Sequence, residues 1–183
     1  PVEVISGREE ARLIYAGVAH LQPSQRMRLV IDIGGRSTEM ILGRGDDPIT
    51  AESFAVGSVS LSMRHFADGK LTADAFRAAQ VAAGAELEEA LQPFAPSKWQ
   101  EALGSSGTAG AVSQLLIAMG HADGAITPER LRVLIERCIT AGHIDQLELP
   151  GLKGDRKPVI AGGLALLYTF AAQFGIDRLL PAK

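Results

Sequence analysis

Arg28-Leu-Val-Ile-Asp-Ile-Gly-Gly-Arg-Ser-Thr-Glu-Met-Ile-Leu-Gly43 decides how the rest of the chain is read. Leu29, Val30 and Ile31 run directly into Asp32, so a buried strand delivers a carboxylate to the place where it leaves the core. Gly34 and Gly35 then permit a tight turn, and without Cβ atoms they leave the backbone N–H groups open to a ligand. Ser37 and Thr38 add hydroxyls before Met40 to Leu42 resume a second strand alongside the first. A carboxylate, bare amides and hydroxyls this close together suit a metal-bound phosphate, with the amides forming an anion nest. The same residues also make an ordinary β-hairpin with a glycine turn.

A second stretch of this kind lies further along. Trp99 to Leu103 is strand-like and feeds Gly104-Ser-Ser-Gly-Thr108, after which Ala109 to Met119 reads as a helix stopped by Gly120 at C′. Strand, glycine-hydroxyl loop and helix N-terminus form a phosphate site when free amides and the helix dipole face the anion. A serine cap with glycines for packing has the same spelling.

Between the two, Gly45 to Pro48 turns the chain into a third run, Ile49 to Val56, which gives an antiparallel meander. Gly57 to Leu61 opens a short helix toward Phe66. Thr72 caps a longer one with Phe76, Ala79, Ala83, Leu87 and Leu91 on one face, ended by Pro93 and Pro96. Thr127-Pro-Glu129 starts another, burying Leu131, Leu134, Ile135, Cys138 and Ile139. Lys153, Arg156 and Lys157 read as a solvated basic loop. Gly162-Gly163 starts or interrupts an apolar helix through Phe174, and Arg178 to Pro181 is a last strand.

At the start, Val2 to Ile5 is strand-like. Ser6 and Glu9 fit a capping box, with the Glu9 side chain returning to the cap amide. Glu10 instead shares a helical stripe with Leu13, Ile14, Gly17 and Leu21, expected to be buried. A carboxylate on such a face beside a cleft is a candidate general base. An acid at the stripe's edge paired with Arg12 or Arg26 is the alternative.

The 183 residues suffice for one domain with a full core, and 46% apolar with 21% charged residues is ordinary for a globular protein. A net charge of −3 argues against a sequence-wide nucleic-acid footprint. Cys138 stands alone, which excludes a disulfide framework, and His20, His65, His121 and His143 show no ligand-like spacing. The longest apolar run, 159–172, is shorter than the ~20 residues of a membrane span. With no signal peptide visible and a first residue Pro1 already in mid-pattern, the chain is expected to be an excised piece of a cytoplasmic enzyme.

The order of these elements is that of one lobe of the actin-like ATPase (ribonuclease H-like) fold. The expectation is an α/β lobe whose mixed sheet has a three-strand antiparallel meander followed by parallel strands, with helices on both faces. Four motifs sharpen this: Ile5-Ser-Gly-Arg-Glu-Glu-Ala-Arg-Leu-Ile14, Val30-Ile-Asp-Ile-Gly-Gly-Arg-Ser-Thr-Glu39, Val56-Gly-Ser-Val-Ser60 and Gly104-Ser-Ser-Gly-Thr108. In these, and in Leu149-Pro-Gly-Leu152, the chain closely resembles the exopolyphosphatase/guanosine pentaphosphate phosphohydrolase family. The resemblance runs in order over essentially the whole length.

That resemblance implies removal of the terminal phosphate of polyphosphate or guanosine pentaphosphate with Mg²⁺, in a cleft between two lobes. It places the catalytic base on Glu10 and acids around phosphate and metal on Asp32 and Glu39. Phosphate binding falls to Gly34, Gly35, Arg36, Ser37 and Thr38, and to Gly104, Ser105, Ser106, Gly107 and Thr108. Residues 1–21 would hold the last strand of the first lobe and the crossing helix, and 22–183 a second lobe cut short at its C-terminus. The partners implied are the substrate, the missing first lobe and a possible second copy, with neither membrane nor nucleic acid. Two departures stand out. Arg36 replaces the family's usual third glycine, and the first lobe is absent, so the isolated chain is expected to be inactive. The competing readings are an ATP-binding kinase or ATPase of the same superfold, with Gly162-Gly163 approaching adenosine, and a non-catalytic sensor of polyphosphate or a guanosine alarmone.

Overall fold

The structure is a computed structural model that describes residues 5–183. Residues 2–4 of the strand expected over Val2 to Ile5 lie outside the described residues. The chain runs α1(Gly7–Leu21), β1(Met27–Ile33), β2(Thr38–Arg44), β3(Asp47–Phe54), α2(Ser58–His65), α3(Ala73–Glu86), β4(Glu101–Ser105), α4(Ser106–Ala118), α5(Pro128–Ala141), α6(Ile160–Gln173) and β5(Leu179–Pro181). One sheet has the order β3-β2-β1-β4-β5. The first three strands are antiparallel neighbours, and β1–β4 and β4–β5 are parallel. This is the expected mixed α/β sheet.

Strand alternation sorts the core onto two faces. Val30, Ile41 and Leu103 point to one side, where α1 covers them with Ala11, Tyr15, Val18 and Ala19. Leu29, Ile31, Ile33, Met40, Leu42 and Ala102 point to the other, under the remaining helices. Gly43 of β2 makes the α1 contact possible, because any Cβ there would occupy the space of the Tyr15 ring. Arg28, 1% exposed, ties the end of α1 to the sheet: a guanidinium N–H donates to the Gln22 carbonyl. Its Nε lies 3.0 Å from Glu101 without hydrogen-bond alignment.

Several boundaries differ from the sequence reading. The second hairpin turns within Gly45 and Asp46, so Pro48 lies inside β3. It is tolerated there because β3 is an edge strand and its register shifts at Leu42/Gly43. The helix capped by Thr72 stops at Glu86, and short 3₁₀ turns carry the chain past Leu91. No described helix is long and apolar enough to cross a membrane.

Gly162 and Gly163 sit in the first turn of α6 as packing residues. A Cβ on Gly162 would collide with the Ser58 carbonyl and Ser62 of α2, and the Gly162 amide donates to Ser62 Oγ at 3.0 Å. A Cβ on Gly163 would come within 2.9 Å of the Thr108 methyl. The pair thus joins α6 to both α2 and α4 and presents no open backbone to an adenosine. Gly162→Val is expected to lower unfolding free energy by about 1–3 kcal/mol through overpacking, read as a lower melting temperature.

Candidate active site

The β1–β2 turn is fixed from inside and from below. The Gly34 amide donates to the Ser37 carbonyl at 2.9 Å, closing the turn. Underneath lies the start of α2: the amides of Ser58, Val59 and Ser60 donate to the carbonyls of Gly34 and Gly35 at 2.9–3.0 Å. Gly57 has to be glycine because a Cβ would overlap the Gly35–Arg36 peptide. With the carbonyls thus engaged, the amides of Gly35, Arg36 and Ser37 donate to nothing among the described residues and remain available to an anion.

The second glycine-hydroxyl stretch is a junction rather than a loop. β4 runs to Ser105 and α4 begins at Ser106 without an intervening segment. The reversal is concentrated in Ser106, whose φ of 76° is the one positive value among described non-glycine residues. Its hydroxyl donates to the Ile33 carbonyl at 2.7 Å. A single side chain therefore connects the end of β1 to the start of α4 and brings the two glycine stretches side by side. The first-turn amides of α4 have no intrahelical acceptor, and the helix dipole adds positive character there.

Arg156 completes this end. Its guanidinium lies directly over Gly107, where any Cβ would overlap it. It forms no ion pair among the described residues. The basic loop around it is therefore not simply solvated, because a short 3₁₀ turn, Lys157–Val159, sets Arg156 against the N-terminus of α4.

Three acids surround the same point. Asp32 leaves β1 half-buried, and burial pushes its carboxyl above the ordinary value while the hydroxyls of Ser105 and Ser106 pull the other way. Ser106 has only one proton to give and directs it to Ile33, so Ser105 is the steadier donor. Glu39, 2% exposed, is raised in the same way by burial. The hydroxyls of Ser53, at 2.8 Å, and Ser37 oppose that shift, whereas the charges of Glu10 and Asp32 reinforce it. All three carboxylates thus share one electrostatic neighbourhood. No three or more His, Cys, Asp or Glu side chains among the described residues form a metal-binding group by themselves. Asp32 and Glu39 nevertheless suit Mg²⁺, which takes one or two carboxylates and completes its shell with water and phosphate oxygens. A cation there would also favour the ionised form of both groups, against the burial that raises them.

Glu10 departs from the expected burial. The face of α1 against the sheet carries Ala11, Tyr15, Val18 and Ala19, and the stripe through Glu10 looks outward with Leu13 57% and Leu21 62% exposed. The small alanines and the Tyr15–Gly43 fit take the sheet side. Glu10 forms no ion pair with Arg12 or Arg26; Arg12 lies instead 3.8 Å from Glu9. Only half of the capping box forms, the Glu9 amide donating to Ser6 Oγ at 3.3 Å.

Three other residues of the set are occupied structurally. Thr38 Oγ1 donates to the Val56 carbonyl at 2.7 Å and is buried. Gly104 is a packing glycine, since a Cβ would lie 2.7 Å from that of Ala109. Thr108 turns its methyl toward Gly163. Gly35, Arg36 and Ser37 lie on the β1–β2 turn and Ser105, Ser106 and Gly107 at the β4–α4 junction, which the β1–β4 pairing and the Ser106–Ile33 hydrogen bond set beside one another. Sequence reading missed Arg156 and Ser53, which lie far away in sequence and carry no periodic signal. Burial raises the Cys138 thiol to about 12, so it contributes no nucleophile.

Comparison with known proteins gives a consistent result. The sequence model of the Ppx/GppA phosphatase family matches residues 1–180. A Haemophilus influenzae protein bearing the name of an exopolyphosphatase is 41% identical over 179 residues, which cover 98% of this chain and 55% of that protein. The chain thus spans about half the length of this relative. Among solved structures, an exopolyphosphatase from Cytophaga hutchinsonii matches with a TM-score of 0.81 at 21% identity, over 100% of this chain and 61% of that one. The Aquifex aeolicus PPX-GPPA enzyme matches with a TM-score of 0.80 at 20% identity, over 100% and 62%. At these identities the structural likeness speaks for the fold.

Proposed function

The chain belongs to the Ppx/GppA phosphatase family, and from that premise we propose that the protein containing it hydrolyses the terminal phosphoanhydride of inorganic polyphosphate, guanosine pentaphosphate or both. The observation that carries this reading is the meeting of two amide-rich turns at one point. The free amides of Gly35 to Ser37 and the first turn of α4 under Arg156 are held together by the Ser106–Ile33 hydrogen bond, with three carboxylates beside them. Amides and a guanidinium receive the charge of a phosphoryl group, and carboxylates serve a cation and a water molecule.

In this mechanism the terminal phosphoryl group lies on the Gly35–Ser37 amides, with Arg156 and the α4 N-terminus on its other side. Asp32 and Glu39 would hold Mg²⁺, which would supply neutralisation of phosphate charge. Glu10 orients the attacking water and takes its proton as the phosphorus–oxygen bond forms and the bridging bond breaks. Phosphoryl transfer depends mainly on such positioning and charge neutralisation. We infer further that residues 22–183 act as the second lobe of a two-lobed enzyme and that α1 is the crossing helix. The exposed Glu10 stripe would then face the other lobe. On this reading the isolated chain is inactive, and the enzyme works in the cytoplasm.

The test is phosphate release by the full-length protein from long-chain polyphosphate and guanosine pentaphosphate in parallel. With Mg²⁺, release from at least one is expected, and chelation should reduce it to background. No release from either substrate would sink the hydrolase reading in favour of a sensor. Arg156→Ala should lower kcat/KM about tenfold to a hundredfold, the effect of losing a charged hydrogen bond of ~1.5–3 kcal/mol. A variant within twofold of wild type would remove Arg156 from the site.

A further inference from the structure

The phosphate turn has a second side that the mechanism above does not use. Arg36 leaves the turn toward α2 and, with Val59, Ser60, Met63 and Arg64, lines an open groove of about 380 Å³. Arg36 and Arg64 are exposed and have no carboxylate partner among the described residues. Two guanidinium groups facing one concavity repel each other and concentrate positive potential there, which an anion between them relieves. The Ser60 hydroxyl is engaged with Gly57, whose amide donates to it at 3.0 Å, so the groove's ligand-seeking groups are its two cations. Val59 and Met63 form the apolar part of its lining.

The groove is also tied to the reacting site. Val59 and Ser60 donate their amides to the Gly35 carbonyl at 2.9 and 3.0 Å, so α2 and the turn are joined at that carbonyl. The Arg36 amide faces the anion nest while its side chain reaches the groove.

We propose that this groove is a second anion subsite, in which Arg36 and Arg64 hold a phosphate group of the substrate's non-reacting tail. The inference rests on the proposed hydrolase function and adds that this chain favours an extended polyanion over the shortest substrates. Planar guanidinium forks suit phosphate oxygens, and a pair of them suits a repeating chain.

The experiment uses the full-length protein with Arg64→Glu and Arg64→Lys, assayed on tripolyphosphate and long-chain polyphosphate. Arg64 is an exposed residue on α2, so neither change disturbs the core. In Arg64→Glu, kcat/KM for the long chain should fall about fivefold to tenfold, mostly through KM, and by clearly less for tripolyphosphate. Arg64→Lys should recover most of the loss. An Arg64→Glu protein that matches wild type, or loses equally on both substrates, overturns the proposal. So does an Arg64-dependent response to added inorganic phosphate that ignores chain length, since that would make the groove a site for free phosphate. Equilibrium binding of long-chain polyphosphate, measured in a Glu10→Gln background, separates the two claims. If wild type releases no phosphate, hydrolysis is the claim that fails. Arg64→Glu must then still weaken binding about fivefold to tenfold, and equal affinity would overturn the subsite.

Discussion

Glu10→Gln in the full-length protein is expected to lower kcat for phosphate release by roughly 10²–10⁴-fold, the range for removing a positioned general base. The substitution keeps the shape and removes only the ability to accept a proton. Glu10 is exposed and unpaired with any cation among the described residues, so its loss disturbs no packing. Its helix start is held by the Ser6 cap and packs at Gly7 against Ser53, whose hydroxyl donates to Glu39, so Glu10 leaves the end of α1 that adjoins the acids. The melting temperature should therefore stay near that of wild type, and KM should change far less than kcat. A variant retaining more than a tenth of wild-type kcat would assign the proton to another group.

Asp32→Asn should produce opposite effects on activity and stability. Turnover should fall by about 10²–10³-fold or more, because an amide oxygen cannot replace a carboxylate beside a hard cation. Without Mg²⁺, the same change should raise the melting temperature near neutral pH. Burial holds the folded-state pKa of Asp32 above its ordinary value of 3.8, so the folded state favours the protonated form. Ionisation then costs stability, and the cost develops as pH rises from that ordinary value through the raised folded one. The advantage of asparagine should accordingly be full above that window and shrink as pH falls through it. Adding Mg²⁺ should stabilise wild type and leave Asp32→Asn unmoved. Thermal scans across pH, with and without the metal, read all of this. Lower stability of the variant at neutral pH would contradict the electrostatic account.

Where periodicity carries the information, the sequence was legible. The apolar run into Asp32, the glycine turn and the returning strand form as read, and sheet order and helix placement agree with the expected actin-like lobe. Errors arise where packing chooses between two plausible faces or where a long-range neighbour decides a residue's job. α1 has apolar residues on both sides, and only the fit of Tyr15 over Gly43, 28 positions apart in sequence, selects the sheet side. Thr38 reads as a ligand hydroxyl until Val56 is seen to accept its hydrogen bond. Arg156 reads as a solvated cation until its guanidinium is found over Gly107. Ser106 gave no warning either, because a left-handed serine is dictated by the β4–α4 reversal and not by its residue type.

The most direct test of the central claim, that the two glycine turns receive one phosphoryl group, is to locate a bound tetrahedral oxyanion. Tungstate soaked into crystals of the full-length protein and found by its anomalous signal would do this. The expected peak lies between the Gly35–Ser37 amides and the first turn of α4, within reach of Arg156, and is lost in Arg156→Ala. A strong peak elsewhere with this position empty would contradict the account.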